Sequence, residues 1–372
     1  MIKTDCINFP LDRPCRFHKD DGMHCLRCEL YSPVISGSKK NKILMIKLGA
    51  MGDVLRTTFL IPGLKAKFKG AKITWIVAPE SVGILEPNPG IDRVWQMDDR
   101  IFARLLSESF DHVINLDLSF ESLSLATLAV SGDKIGFYLD SKRRIQCSNA
   151  YAKQWLEMSA FDDVKKRNDR TYQFWMSKIT GLKKATYEIF TPLEKRSVEK
   201  AAEFSKKHDL AGRKVVGINP GAGRRWKLKK WTEPGYEQII KRLISSGVKV
   251  LVLGGPEEKK LISSLVRKSG GKAISAGTEN SIPDFFALLN LCDVLITGDT
   301  LALHAALGLK KKVLAIFGPT SSSEIEVYSR GIKVVSPSPC VCCYRQSCEV
   351  RPDCMEMIKP ETVWSCLQKL MK

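Results

Sequence analysis

No apolar run in this 372-residue chain approaches the roughly 20 residues that a membrane-spanning helix needs. The opening stretch, Met1 to Cys6, carries no apolar signal core, so a cytoplasmic chain is expected. Acidic side chains are scarce beside basic ones, 40 against 59, which leaves a formal net charge of +19. A surface of that sign expects anionic partners: nucleic acid, a phosphorylated glycolipid or an anionic membrane face. No short-period internal repeat is visible. What is present is ordinary for a globular protein: 44% hydrophobic and 27% charged residues, in a chain long enough for two domains with cores of their own.

The twelve cysteines are many for a chain without an export signal, and they cluster, which favours metal ligation over a disulfide framework. Residues 1–38 hold Cys6, Cys15, Cys25 and Cys28, with His18 and His24 between them. The segment ends in Pro33 and Ser36-Gly-Ser38, followed by a basic run that reads as a linker. Cys25 and Cys28 have the spacing of a metal knuckle, and Cys6 and Cys15 complete a tetrahedral thiolate set for zinc or iron. So short a segment has no core, so a metal would supply its folding energy; it is expected to dock on the domain that follows. Free cysteines or a redox pair are the alternatives.

From Ile43 onward, short apolar runs alternate with amphipathic segments. Strands are expected at Ile43–Ile46, Ile73–Val77, Val94–Met97, His112–Leu116 and Lys134–Phe137, with helices near Val54–Phe68, Ile101–Glu108 and Leu123–Val130. Residues 138–185 are mixed and basic, with Lys142–Arg144 and Lys165–Arg167 set among aromatics; each run reads as a solvated face or as part of an acceptor patch. A second alternation has strands at Val215–Asn219, Val248–Leu253, Ala273–Ser275, Val294–Thr297 and Val313–Phe317. Its helices are expected at Pro234–Ser246, Glu257–Lys268, Pro283–Leu291, Leu301–Leu307 and Pro360–Met371. Ser281 with Pro283 and Asp284 makes a good helix start. The pattern predicts two successive doubly wound α/β domains, 39–190 and 210–355, with a last helix over 356–372 and a cleft between the domains.

The stretch Lys47–Thr58 follows the first strand. Gly49 and Gly52 permit a tight turn and close backbone approach, and Asp53 stands where a helix N-cap belongs, at the crevice where open α/β sheets bind ligands. In the second domain three turns follow strands. Asn219-Pro-Gly-Ala-Gly223 presents backbone amides, with Gly221 and Ala222 at its centre; Gly254–Glu258 closes a strand; Gly298–His304 leads into a helix whose N-terminus attracts a diphosphate. The string Arg224-Arg-Trp-Lys-Leu-Lys-Lys-Trp231 adds cations beside those turns, where a lysine can neutralise a leaving phosphate.

These blocks, with Phe317-Gly-Pro-Thr320, resemble family 9 glycosyltransferases, the ADP-heptose:lipopolysaccharide heptosyltransferases, from about Lys42 to the C-terminus. The resemblance implies a GT-B fold, acceptor on the first domain, nucleotide-sugar on the second, and inversion by single displacement with no cofactor in the chemistry. It implies that Asp53 is the catalytic base and that Lys229, of the Lys-x-Trp element, assists at the donor phosphate. Lys47, Gly52 and Arg56 fall on the acceptor side. Gly221, Ala222, Glu258, Asp299, Thr300 and His304 fall on the donor side, Glu258 at the nucleoside. One departure is Leu301, where the family usually has glycine; a glycine-only backbone conformation is not expected there, which implies a differently seated diphosphate or an altered donor. His304 also has the plainer reading of a capping or packing residue. The tail Cys340, Cys342, Cys343, Cys348 and Cys354 resembles a cysteine segment of many family members, and either binds a second metal or packs as thiols.

The implied partners are an ADP-sugar and an anionic glycolipid or oligosaccharide acceptor, with peripheral contact to the inner membrane face. Two rivals stand beside this: the same donor chemistry on a protein or small-molecule acceptor, and a non-enzymatic nucleotide- or nucleic-acid-binding protein. A nucleic-acid binder has no need of a glycine-positioned carboxylate in a cleft, so nucleic acid is the weaker expectation.

Overall fold

The computed structural model describes the whole chain except residues 1, 7, 11, 33–40, 184–186 and 224–225. The linker through Ser36–Ser38 and the cations Arg224 and Arg225 therefore lie outside the described residues. The chain divides into two units, Met1–Lys40 and Asn41–Lys372. The first holds a short helix, Arg16–Asp21, and a single 3-10 turn, Cys25–Arg27; no residue of either is buried.

The second unit contains two six-stranded sheets. The first comprises β1 (Lys42–Ile46), β2 (Lys72–Val77), β3 (Arg93–Gln96), β4 (Ser109–Asn115), β5 (Val130–Leu139) and β6 (Ile145–Cys147). Their spatial order is β3-β2-β1-β4-β5-β6, parallel except for the β5–β6 hairpin. The second comprises β7 (Val215–Asn219), β8 (Lys249–Val252), β9 (Ile274–Ser275), β10 (Val294–Gly298), β11 (Lys312–Phe317) and β12 (Gly331–Val335). Its order, β12-β11-β10-β7-β8-β9, repeats the first, and it is parallel throughout. Helices cover both faces, which is why β7 and β10 are buried along their whole length and read as unbroken apolar runs.

The strand order reverses between β1 and β4 in one sheet and between β7 and β10 in the other. At such a switch point neighbouring crossovers leave to opposite faces, and a crevice opens beyond the strand ends. One apolar body runs from the first sheet into the second, joining Ile43, Val54, Phe59 and Tyr172 to Phe286, Leu303 and Phe317. The C-terminal helix Pro360–Met371 buries Val363 and Leu367 with Val216 and Ile296 on the far face of the second sheet.

Three expectations are corrected. Asp53 is not a helix N-cap: the helix Met51–Thr57 starts two residues earlier, with Ala50 at its N-cap, so Asp53 lies in its first turn and its carboxylate is not engaged in capping. The expected helix Val54–Phe68 is two helices, Met51–Thr57 and Leu60–Lys67. Thr58 fixes the break, because its hydroxyl donates to the Leu55 carbonyl and accepts from the Phe190 amide. Val130, expected at a helix end, opens β5. The basic region 138–185 contains the β5–β6 hairpin and the helices Ala150–Ala160, Asp162–Lys166 and Tyr172–Ile179, in addition to an exposed turn where Arg144 pairs with Asp140 at 2.8 Å. Ser281 does cap its helix, its hydroxyl accepting from the Asp284 amide, a bond worth about 1 kcal/mol.

Candidate active site

The turn after β1 and the loop after β4 meet at the first switch point. Asn115, buried at the end of β4, donates to the carbonyls of Phe137 and Asp117 and accepts from the Asp117 amide. The loop is thereby fixed with the Asp117 carboxylate under the β1 turn, where it accepts from the Leu48 amide at 3.1 Å and pairs with Lys47 Nζ at 3.2 Å. Lys47 is buried, which opposes its charge, but Asp117 and Asp53 together raise its pKa above the ordinary lysine value.

Asp53 projects from the next turn of chain with 36% of its side chain exposed. Arg56 Nη2 contacts Asp53 Oδ1 at 2.8 Å, and the guanidinium lies 3.8 Å from the centre of the Tyr172 ring. The Tyr172 hydroxyl bonds Thr57 Oγ1 at 2.7 Å, so the aromatic platform is itself held by the helix that bears Asp53. Burial pushes the Asp53 carboxyl up, but Arg56, Lys47, His304 and Lys229 outweigh it and hold its pKa at about 2. It is an anion throughout the physiological range.

In the second sheet the buried Trp231 anchors the lysine pair before it, its indole N–H donating to the Ile358 carbonyl at 3.0 Å. Lys229 and Lys230 then reach to two different turns. Lys229 Nζ lies 3.0 Å from Asp299 Oδ2 after β10, and Lys230 Nζ lies 3.0 Å from Glu258 Oε1 after β8. Glu258 is buried against Gly221: a Cβ at that glycine would fall 2.5 Å from the Glu258 carboxyl carbon, so only glycine admits this approach. Ala222 follows in the same loop. Asn219 Nδ2 donates to Thr297 Oγ1 at 3.1 Å and to Thr300 Oγ1 at 3.4 Å, tying the β7 turn to the β10 turn.

Thr300 caps the helix Leu301–Gly308, and Leu301 opens it in right-handed geometry, so a glycine-only conformation is not needed there. His304 is buried one turn in, with Nε2 3.9 Å from Asp299 Oδ1. Burial and the Arg56 cation depress its pKa to about 4, which leaves a neutral imidazole. Asp299 is held below the ordinary carboxylate value, since Lys229 and Arg56, joined by His304 in acid where its imidazole is protonated, overcome its own burial.

The two halves touch. A Cβ on Gly52 would lie 3.1 Å from His304 Cδ2 and 3.5 Å from the Leu301 amide nitrogen. The Tyr172 amide donates to the Glu324 carbonyl at 2.9 Å, a hydrogen bond between the domains. All the residues expected on the acceptor side therefore converge at one end of the cleft, and all those expected on the donor side at the opposing turns. Asp117 and Glu324 escaped the sequence reading, and Tyr172 and Lys230 appeared in it only as one of the aromatics of 138–185 and one of the cations of the basic string, with no role at the site. For Asp117 a signal existed, an acid two residues beyond a strand at the switch point, and for Lys230 its place beside Lys229 in the basic string; Tyr172 and Glu324 join through long-range packing.

The match to a family model now bears on this geometry. Residues 99–352, about two thirds of the chain, match glycosyltransferase family 9 (heptosyltransferase). The chain belongs to glycosyltransferase family 9. The matched span holds the donor-side turns; the Asp53 turn precedes it. Among curated proteins, lipooligosaccharide heptosyltransferase 2 of Campylobacter jejuni is 28% identical over 166 residues, 43% of this chain and 52% of that protein. The chain thus spans about half the length of the curated relatives it matches in this way. A family 9 glycosyl transferase structure from Veillonella parvula superposes with a TM-score of 0.75 at 19% identity, covering 91% of this chain and 98% of that one. The Escherichia coli ADP-heptose heptosyltransferase II structure superposes with a TM-score of 0.64 at 18% identity, covering 89% and 98%. At these identities the likeness is one of fold: GT-B, two doubly wound domains about a cleft.

No helix among the described residues is long and apolar enough to cross a membrane. Among the described residues no three His, Cys, Asp or Glu side chains form a group ready to hold a metal ion.

Proposed function

We propose that this family 9 protein is an inverting glycosyltransferase that moves heptose from ADP-heptose to a hydroxyl of a lipopolysaccharide-core type oligosaccharide. The observation that carries the reading is the contact of the Asp53 turn with the donor-side helix through Gly52 and His304. It supports a site in which one carboxylate, Asp53, stands across from the turn assigned to the diphosphate. Inverting transfer needs that pairing, whereas a glycosidase needs two carboxylates flanking the bond.

In this reading Asp53 takes the proton of the acceptor hydroxyl. The acceptor oxygen bonds to the anomeric carbon as the carbon–oxygen bond to the diphosphate breaks, and ADP leaves with the electron pair. Lys229 and the amides opening Leu301–Gly308 meet the charge that develops on the diphosphate. Gly221 and Ala222 line the nucleotide's approach, Glu258 is assigned to the nucleoside, and Thr300 to the diphosphate turn. Lys47 and Arg56 orient Asp53 and the acceptor. The chemistry asks for no cofactor. The names of the family relatives support the donor and acceptor class, and the net charge of +19 supports an anionic glycolipid met at the inner membrane face. The chain is then a cytoplasmic enzyme working peripherally on that face.

The test is mass spectrometry of products after incubation with a panel of nucleotide-sugars and acceptors. Heptose added from the ADP-sugar to a core oligosaccharide, with inverted anomeric configuration, is the expected result. Transfer only to protein or small-molecule acceptors would replace this acceptor class, and transfer from no ADP-sugar would overturn the donor assignment.

A further inference from the structure

We infer that the N-terminal unit, Met1–Lys40, is a metal module in which Cys6, Cys15, Cys25 and Cys28 hold one thiophilic divalent ion, zinc or iron(II), as a four-thiolate site. The catalytic reading neither uses nor needs this site.

The argument begins with what the unit lacks. It forms a unit separate from the rest of the chain, yet no residue of its helix or its 3-10 turn is buried. About 40 residues without a core ordinarily need a disulfide or a metal to stay folded. The structure joins none of the four cysteines in a disulfide, so all four thiols are available to a metal.

The four cysteines also share one place. Cys6, Cys15, Cys25 and Cys28 line a single small cavity, walled on its other sides by apolar surface that includes Phe9 and Phe17. Its volume is about 30 Å³. A water needs on the order of 10–15 Å³ on this measure, so the space suits one ion and no organic ligand. Local hydrogen bonds shape the walls: the Cys28 amide closes a turn onto the Cys25 carbonyl, and the Phe9 amide closes another onto Cys6. Two more links bring the ends of the segment together, Tyr31 Oη donating to Asp5 at 2.6 Å and Asn8 Nδ2 to the Leu30 carbonyl at 3.4 Å.

The ligand set is cysteine alone. His18 and His24 do not line the cavity. They stack edge to face on each other at 5.2 Å, and His18 Nδ1 donates to the Met23 carbonyl at 3.1 Å. The four cysteines share one cavity but do not stand as a ready metal-ligand group. A bound ion supplies the missing term, drawing four thiolates to about 2.3 Å and releasing their protons.

Elemental analysis of the full chain, purified under reducing conditions without added metal, should find about one equivalent of zinc or iron. The same analysis names which of the two it is. Cys25→Ser with Cys28→Ser should lose it, while Cys343→Ser with Cys348→Ser, in the separate C-terminal cysteine segment, should keep it. Cobalt(II) added to metal-free protein should give the visible absorption of a tetrahedral thiolate complex in the parent and not in the Cys25/Cys28 variant. ADP binding, measured in every variant, confirms that the catalytic unit is folded. Metal-free protein that takes up no cobalt, a disulfide among these four cysteines, or metal that survives the Cys25/Cys28 change and leaves with Cys343 and Cys348 would each overturn the assignment. None of these readouts depends on glycosyl transfer, so the proposal can fail while the catalytic reading stands, and the reverse.

Discussion

Gly52 and His304 belong to different domains and meet edge on, with 3.1 Å between the imidazole Cδ2 and the position a Gly52 side chain would occupy. The turn that carries Asp53 is therefore seated directly on the helix assigned to the diphosphate. A branched side chain at residue 52 would hold the two apart by an ångström or so. Misplacement on that scale costs on the order of 10²-fold in rate. Gly52→Val should lower kcat by that order and leave ADP affinity nearly unchanged, as read by steady-state kinetics beside calorimetric titration of ADP. A kcat near that of the parent would show that the contact does not set the reacting distance.

Asp53→Asn keeps the shape of the turn and removes the base. Transfer should fall by roughly 10² to 10⁴, the contribution of a positioned general base, with ADP binding intact. A mutant transferring at the parental rate would take Asp53 out of the mechanism.

Lys229 is ion-paired to Asp299 at 3.0 Å, and a bound diphosphate offers it a second anionic partner. Losing a charged hydrogen bond costs about 1.5–3 kcal/mol, or roughly 10- to 100-fold in affinity. Lys229→Ala should weaken ADP by that range and flatten its salt dependence, measured by titration across ionic strengths. A change confined to the acceptor KM would move the role to Lys227.

These roles were visible in the sequence to differing depths, and the reason is physical. β7 occupies the Val215–Asn219 run that its apolar residues predict, because a strand buried on both faces can hold nothing else. β12 went unread because only Val334 of its five residues is buried, so its pattern is no stronger than that of a loop. Asp53 was legible as a residue but not in its place: an N-cap assignment rests on side-chain type, and the chain starts its helix at Ala50, using no side-chain cap. The tuning of Asp53 was not legible at all. It depends on Tyr172, 119 residues away, holding Arg56 in place, and on Asp117 holding Lys47.

His304, buried and held near pKa 4, gives the fold a pH signature. The unfolded chain binds a proton here near pH 6.5, and the folded one only near 4. Between those values the unfolded state carries more protons, so stability falls as pH drops through the window. His304→Gln removes this group, so its melting temperature should decline less between pH 7 and pH 4.5 than that of the parent. Parallel declines would show that the imidazole protonates freely in the fold.

Arg56 governs the charge of the proposed base. Its guanidinium, 2.8 Å from Asp53, is the foremost of the cations that overcome burial and bring that carboxyl down to about 2. With Arg56 removed, Lys47, His304 and Lys229 still lower the pKa, but burial opposes them with less resistance, so the value must rise. In the parent, ionised Asp53 persists far into acid, and the acid limb of kcat due to this residue lies below the accessible range. In Arg56→Met the limb should move up toward, or above, the ordinary carboxylate value of about 4. The sign follows from charge: the active form is the anion, and losing a cation favours the protonated form. Arg56→Lys keeps a cation on the same helix face and should leave the limb nearer its parental place, although the flat stacking on Tyr172 is lost. The measurement is kcat against pH from 4 to 8 for the three proteins, with ADP binding at each pH to separate inactivation from unfolding. An acid limb that stays in place in Arg56→Met, in protein still binding ADP, would show that Arg56 positions the acceptor without tuning the base.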